Sequence, residues 1–345
     1  MICFAWWGFP QYAARCVRAF VQTTNEEVVV IATRPTVPIK GMEELCGCRV
    51  FWIEQDDEQT ILKLLGTMPR VVFTSGWAIP AFNRYASEVR ANGGKVVAMI
   101  DNNYRFSCAE MVRAMRFRFK WKRCFAGYFV PGKSAHRLMR FYGVDERLIG
   151  DGLYVADPEL FYSDKPLVER GREIIYVGQF IERKNVIRMC RAFLRAKMDG
   201  WVLRLYGSGP LKDILRTEFA DASIEINDFA QPEELAELYR RARVFCLSSL
   251  EEHWGVVVHE AALSGCYLLL SRGIGAADDF LGEKNGAAFD PFDEDGMTKA
   301  FRKIGEMTES DWNAAYSESL EMAKQHGFDK FVNSVKRFVN EVVAS

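Results

Sequence analysis

The chain has 345 residues and a mass of 39.4 kDa, more than one ordinary core accommodates, so two domains of roughly 150–200 residues are expected. Apolar residues make up 49% and charged residues 26%, which excludes a disordered or low-complexity chain. The net charge of −1 lacks the basic excess of a dedicated nucleic-acid binder, and no nucleic-acid partner is expected.

Met1-Ile2-Cys3-Phe4-Ala5-Trp6-Trp7-Gly8 has no positive n-region and breaks at Gly8-Phe9-Pro10. It reads as a first strand and not as a signal peptide. No apolar run reaches the roughly 18 residues of a membrane span, and nine scattered cysteines fit a reducing compartment. A cytoplasmic location follows. Cys46-Gly47-Cys48 has no second Cys/His pair nearby and histidines number only four, so no metal site is expected.

Short apolar, β-branched runs then recur along the chain: Ile2–Trp6, Val28–Ala32, Val50–Ile53, Val71–Ser75, Val96–Ile100, Ile174–Val177, Val202–Tyr206, Ile224–Ile226, Val244–Leu247 and Tyr267–Leu270. Between them lie helical patterns such as Ile187–Lys197 and Glu233–Arg243. Strands that alternate with helices and are apolar throughout imply parallel sheets covered on both faces. Ten strands divide best into two doubly wound α/β sheets. The polar segment around Asp157-Pro158 to Gly171 is the expected linker. Phe328, Phe331, Val332, Val335, Phe338, Val339 and Val342 predict a terminal amphipathic helix.

Charge is uneven: Arg105–Arg140 holds ten basic residues and one acid, Glu110. Its middle interleaves cations with large apolar residues, from Arg116, Phe117, Arg118, Phe119 and Lys120 to Trp121 and Lys122. An amphipathic helix does not alternate every second residue. One reading packs the aromatics inward while arginines snorkel. The other, which we favour, is contact with an anionic membrane surface through Arg116, Arg118, Lys120, Trp121 and Lys122.

Three loops in the second half carry candidate chemistry. After Val244–Leu247 come Ser248-Ser249-Leu250-Glu251-Glu252-His253-Trp254-Gly255 and a helix beginning near Trp254–Val256. Strand ends opening into helix N-termini are where parallel sheets bind ligands, and amides around Gly255, Val256 and Val257 can receive anionic or hydroxyl oxygens. Glu252 and Glu260 would lie roughly 12 Å apart if all the intervening residues were helical. That is too far for a retaining-glycosidase pair, but suits acids gripping opposite ends of one extended ligand. Tyr176-Val177-Gly178-Gln179-Phe180-Ile181-Glu182-Arg183-Lys184-Asn185 places two cations at a helix start, where the dipole disfavours them unless an anion binds. Arg183 and Lys184 are either a diphosphate clamp or a surface pair. Tyr206-Gly207-Ser208-Gly209-Pro210-Leu211-Lys212 fails the dinucleotide fingerprint, because Lys212 stands at the third glycine position. It is a Gly-rich turn near a ligand or a plain turn.

Taken in order, these pieces resemble the C-terminal domain of a family 4, GT-B-fold retaining glycosyltransferase. The resemblance spans about residues 172–300. It also uses Pro232-Glu233-Glu234-Leu235 with Tyr239, Gly275-Ala276-Ala277-Asp278-Asp279 and Gly286-Ala287-Ala288-Phe289-Asp290-Pro291. It implies that Glu260 binds the ribose, that Glu252 holds the donor sugar, and that amides around Trp254–Val257 line the sugar-phosphate pocket. Arg183 and Lys184 would neutralise the leaving diphosphate, with Gly178 and Gly207 in adjoining loops and Phe229-Ala230 facing the base. Fixed cations and amides would make a metal unnecessary.

In the first half the Gly-Gly loop of relatives is replaced by Trp7-Gly8-Phe9-Pro10-Gln11, and the resemblance implies Gly8 as the donor-binding residue of this loop. Asp101, in Ile100-Asp101-Asn102-Asn103, stands where relatives place a polar residue facing the sugar; an Asp capping a turn is the plainer reading. The implied organisation is an acceptor-side domain over 1–157, a linker over 158–171, and a nucleotide-sugar domain over 172–324. Residues 325–345 would pack back on the first domain. The implied partners are a nucleotide-sugar donor, such as a UDP-sugar, and a glycan or lipid-linked acceptor in bacterial surface-polysaccharide synthesis. This would take place at the inner face of the membrane. A binding scaffold without turnover and a nucleotide-sugar epimerase are the alternatives.

Overall fold

The computed structural model describes residues 1–35, 41–53, 61, 66–220 and 223–340. The chain divides into two compact units. One comprises Met1–Val155 with the segment from His326 on, and the other Ala156–Gln325. Residues 158–171 contain helix Pro158–Phe161 and a 3-10 turn at Leu167–Glu169, and belong to the second unit.

The first unit holds β1 (Ile2–Trp6), β2 (Val28–Ala32), β3 (Arg49–Trp52), β4 (Val71–Ser75), β5 (Lys95–Met99), β6 (Gly127–Val130) and β7 (Ile149–Asp151). They form one sheet in the order β3-β2-β1-β4-β5-β6-β7, every pair parallel. The second holds β8 (Glu173–Val177), β9 (Val202–Tyr206), β10 (Ile224–Asn227), β11 (Val244–Leu247), β12 (Tyr267–Ser271) and β13 (Gly286–Phe289), ordered β10-β9-β8-β11-β12-β13. This sheet too is parallel throughout. Two doubly wound α/β sheets are therefore the architecture, as the alternating pattern predicts.

The terminal helix Phe328–Asn340 packs on the first sheet through Phe331, Val332, Val335, Phe338 and Val339. Val342 lies outside the described residues. Phe338 meets Phe73 at 6.1 Å and Phe129 at 5.9 Å, while Phe4 stacks on Phe73 at 4.8 Å. Gly127 and Gly150 make room for it: a Cβ at Gly127 would stand 2.5 Å from the Phe338 ring, and one at Gly150 2.7 Å. Backbone carbonyls finish the docking. Ser334 Oγ donates to Asp151 O at 2.7 Å and Arg337 to Ile149 O at 2.5 Å.

In each sheet the strand order reverses direction once, between β1 and β4 and between β8 and β11. Adjacent loops diverge there and leave a crevice at the carboxyl ends of the strands. Both candidate sites lie at these two places.

Candidate functional site

At the β8/β11 crevice the loop after β8 meets the loop after β11. Leu250 N–H donates to Arg183 O at 2.8 Å, and Ser248 Oγ donates to Lys184 O at 2.9 Å. The two cations do not start a helix. They close a 3-10 turn, Glu182–Lys184, and Asn185 at φ 57° separates it from helix Val186–Ala196. They stand just ahead of that helix, and the countercharge that the sequence required there is supplied within the fold by the Glu252 carboxylate. The Lys184 side chain, 10% exposed, is ion-paired through Nζ with Glu252 Oε2. The same carboxylate oxygen accepts from Ser249 Oγ at 3.2 Å, with Arg183 Nη1 3.8 Å away. Arg183 also donates to Glu251 O at 2.7 Å, and its side chain is 45% exposed.

Glu252 is fixed from the other side by a short parallel bridge to Ile274. Its N–H donates to Gly273 O at 2.9 Å, and its carbonyl accepts from Gly275 at 3.0 Å. Gly255 then turns at φ 91°, and the helix Val256–Leu263 begins after it. The segment between the two acids is thus loop and turn before it becomes helix, so the all-helical spacing does not hold. A Cβ at Gly255 would press within 3.2 Å of Glu252 Cγ, which is why this turn is built on glycine. Val258 N–H is taken by Gly255 O at 2.9 Å, so the amides of Val256 and Val257, which an α-helix leaves without an intrahelical acceptor, are the ones an anion or hydroxyl could take up. The Trp254 ring is core, edge-on to Phe280 at 5.7 Å, so only its backbone can serve a ligand.

Glu260, half-buried on that helix, accepts from the hydroxyl of fully buried Tyr239 at 3.2 Å. Burial pushes its pKa up to about 7, against a smaller downward pull from Tyr239. An acid raised in the fold favours the protonated folded chain. The associated stability is complete below pH 4.5, the ordinary value, and is withdrawn as the pH rises to about 7. Next to it His259, which sequence reasoning passed over, is buried against Phe280 at 4.6 Å. Its Nδ1 accepts from Ala156 N–H at 3.1 Å, and Nε2 lies 3.3 Å from Ala323 O.

The glycine loops are tightly interlocked. Gly178 N–H donates to Tyr206 O at 3.0 Å and Phe180 N–H to Ser208 O at 2.8 Å. A Cβ on Gly207 would overlap the Gly178 carbonyl oxygen, and one on Gly209 would lie 2.5 Å from Phe180 O. These glycines let two loops touch backbone to backbone. Phe229 is 40% exposed and Ala230 buried, in the loop between β10 and helix Pro232–Arg241.

In the first unit the β1/β4 crevice is a pocket lined by Trp6, Trp7, Trp77, Asp101, Asn102 and Tyr154, among others. Trp7 N–H donates to Ser75 Oγ at 2.9 Å, and Tyr154 hydroxyl to Asp101 Oδ2 at 3.2 Å. Gly8 N–H is committed to Thr33 Oγ1 at 2.8 Å. What this loop presents to the pocket is the Trp7 side chain. Ser75, Trp77 and Tyr154 carried no spacing signal in the sequence; the strand order alone gathers them. Arg116, Arg118, Lys120, Trp121 and Lys122 lie on or just after helix Cys108–Lys120, so the alternating run is helical after all. Among the described residues no group of three or more His, Cys, Asp or Glu could hold a metal ion, and no helix is long and apolar enough to cross a membrane.

No curated protein sequence matches the chain. The model of the family described as glycosyl transferases group 1 matches residues 161–319. Among solved structures the chain is similar to Anabaena Alr3699/HepE in complex with UDP-glucose, with 14% identity, 99% of each chain covered and a TM-score of 0.76. It is also similar to sucrose-phosphate synthase of Thermosynechococcus elongatus, with 15% identity, 99% of each chain and a TM-score of 0.75. WaaG, a glycosyltransferase involved in lipopolysaccharide biosynthesis, gives 13% identity over 99% of this chain and 100% of its own, with a TM-score of 0.66. The chain therefore has the GT-B fold of glycosyltransferases, and its second unit carries the segment that matches the group 1 family.

Proposed function

We propose that the protein is a retaining glycosyltransferase that moves a sugar from a nucleoside-diphosphate donor to a glycan or lipid-linked acceptor. The observation that carries this reading is the meeting of Lys184, Arg183 and Glu252 at the β8/β11 crevice, with Glu260 on the helix that opens from it. Ionised Glu260 would accept from ribose hydroxyls, and exposed Phe229 would face the base. The diphosphate would draw Lys184 and Arg183 and the helix amides, leaving Glu252 to accept from hydroxyls of the donor sugar. As the bond from the anomeric carbon to the diphosphate breaks, these cations and amides stabilise the charge on the departing phosphate. The acceptor oxygen attacks on the same face, and its proton passes to that phosphate oxygen.

The reading needs no metal, since the fixed cations supply the countercharge. In the first unit the indoles at the β1/β4 crevice offer apolar faces to an acceptor sugar ring, and Asp101 offers an acceptor for its hydroxyls. UDP is the nucleotide we propose, supported by the relative solved with UDP-glucose. The relative involved in lipopolysaccharide biosynthesis supports a role in surface polysaccharide, performed in the cytoplasm at the membrane face.

A panel of UDP-, GDP- and ADP-sugars incubated with membrane extract should release nucleoside diphosphate from one donor, with the α- or β-configuration kept in the product. Binding without release for every donor would establish a scaffold instead. Conversion of the donor sugar in the absence of extract would establish an epimerase.

A further inference from the structure

Helix Cys108–Lys120 has three faces, and one of them is unlike the rest of the surface. Glu110, Ala114 and Phe117 are buried. Glu110 accepts from the Tyr142 hydroxyl and pairs with Arg113 at 2.9 Å, while Phe117 packs on Trp77 at 5.1 Å and Tyr142 at 5.0 Å. At 3.6 residues per turn, Met111, Val112, Met115 and Phe119 share an arc of roughly 100° on the opposite side. All four are exposed, Phe119 to 90% and Val112 to 61%, and Phe106, just before the helix, is 74% exposed.

Arg113, Arg116 and Lys120 line one flank of this stripe. Arg118 lines the other, held by donation to Tyr142 O at 3.0 Å and Phe141 O at 2.8 Å. Exposed Lys122 and Arg123 follow the helix, and the one acid between Arg105 and Arg123, Glu110, is buried. Trp121 is turned inward, stacked on Trp77 at 6.3 Å and Phe125 at 6.4 Å. An outward apolar stripe rimmed by one sign of charge is the pattern of an interfacial helix, and its field selects the partner. A second copy of the same face would bring cations against cations.

We propose that this helix docks the protein on a bilayer surface rich in anionic lipid. Met111, Val112, Met115 and Phe119 enter the boundary of the acyl chains, and Arg113, Arg116, Lys120 and Lys122 lie at headgroup level. The inference deepens the membrane placement given above by naming the side chains and the lipid charge. It stands whether or not the protein transfers sugar. Arg118 and Trp121, expected from sequence to touch lipid, are occupied in holding the helix to its unit.

The test is co-sedimentation of the full chain with phosphatidylcholine vesicles, with and without phosphatidylglycerol, at low and high salt. Binding should require phosphatidylglycerol and weaken with salt. The double variant Met115→Ser/Phe119→Ser should lower the partition coefficient by about tenfold or more. Arg116→Gln and Lys120→Gln should each lower it by about fivefold and flatten the salt dependence. These side chains are exposed, so the melting temperature and UDP-sugar affinity should not move, which separates failed docking from failed folding or a wrong donor. Wild-type protein remaining in the supernatant with phosphatidylglycerol vesicles at low salt would overturn the proposal. So would sedimentation unchanged by the double variant, or self-association that the double variant abolishes.

Discussion

Gly207→Ala should destabilise the second unit by about 3–5 kcal/mol and lower its melting temperature by roughly 6–15 °C. The added methyl would overlap the Gly178 carbonyl oxygen and stand 3.2 Å from the Phe180 ring. Nothing flexible can give way, because the obstacle is backbone. Gly178 is itself tied to Tyr206 O, and Phe180 to Ser208 and Leu211. Relief would require parting the loops after β8 and β9, which also carry the approach to Arg183 and Lys184. Thermal and urea denaturation of wild type and variant measure the effect; a melting temperature within a degree of wild type would show that the loops can separate at little cost.

The second large effect is expected at Lys184. Its ammonium is nearly buried and shares Glu252 with Ser249. Lys184→Met keeps the aliphatic length, removes the charge and leaves the Glu252 carboxylate without its cation in a poorly solvated place. Loss of one fixed positive group from the developing leaving-group charge corresponds to a fall in kcat of about 10²–10³. Arg183→Met should cost less, since its side chain is half-exposed and solvent screens it. Single-turnover transfer rates with saturating donor measure both. A Lys184→Met rate within threefold of wild type would remove the diphosphate role from this pair.

Much of the fold is legible in the sequence because buried parallel strands are apolar throughout. Ile2–Trp6, Val28–Ala32, Val71–Ser75, Val202–Tyr206 and Val244–Leu247 coincide with β1, β2, β4, β9 and β11. The strands that are not legible lack that signal. β13 is Gly-Ala-Ala-Phe, with no β-branched residue; β7 is three residues long; and β6 is short and opens on glycine. Gly127 and Gly150, which weaken β6 and β7 as sequence patterns, are the residues that admit Phe338. Their meaning depends on a helix about two hundred residues further along the chain.

The candidate site was legible where chemistry and order coincide. Glu252 and Glu260 stand out by type and setting, and Arg183-Lys184 by adjacency. The Lys184–Glu252 pairing was not legible, because it depends on β8 and β11 being sheet neighbours. That juxtaposition is a property of strand order, which no local pattern records. The aromatic pocket of the first unit was hidden for the same reason: Trp7, Trp77 and Tyr154 follow or face different strand ends. In Arg116–Lys122 the alternation misled, since Phe117 points inward and Phe119 outward on one helix while Trp121 lies beyond its end.

Calorimetric titration of UDP-glucose across pH 6 to 8, for wild type and Glu260→Gln, puts the donor assignment to its most direct trial. The phosphates of UDP-glucose are ionised throughout, so the protein alone supplies any pH dependence. With Glu260 titrating at about 7 and only its ionised form accepting both ribose hydroxyls, wild-type affinity should rise about tenfold over the range and level off. Glu260→Gln should bind about tenfold more weakly at pH 8, with no slope. Equal affinity and equal slope in the two proteins would mean that Glu260 does not hold the nucleotide.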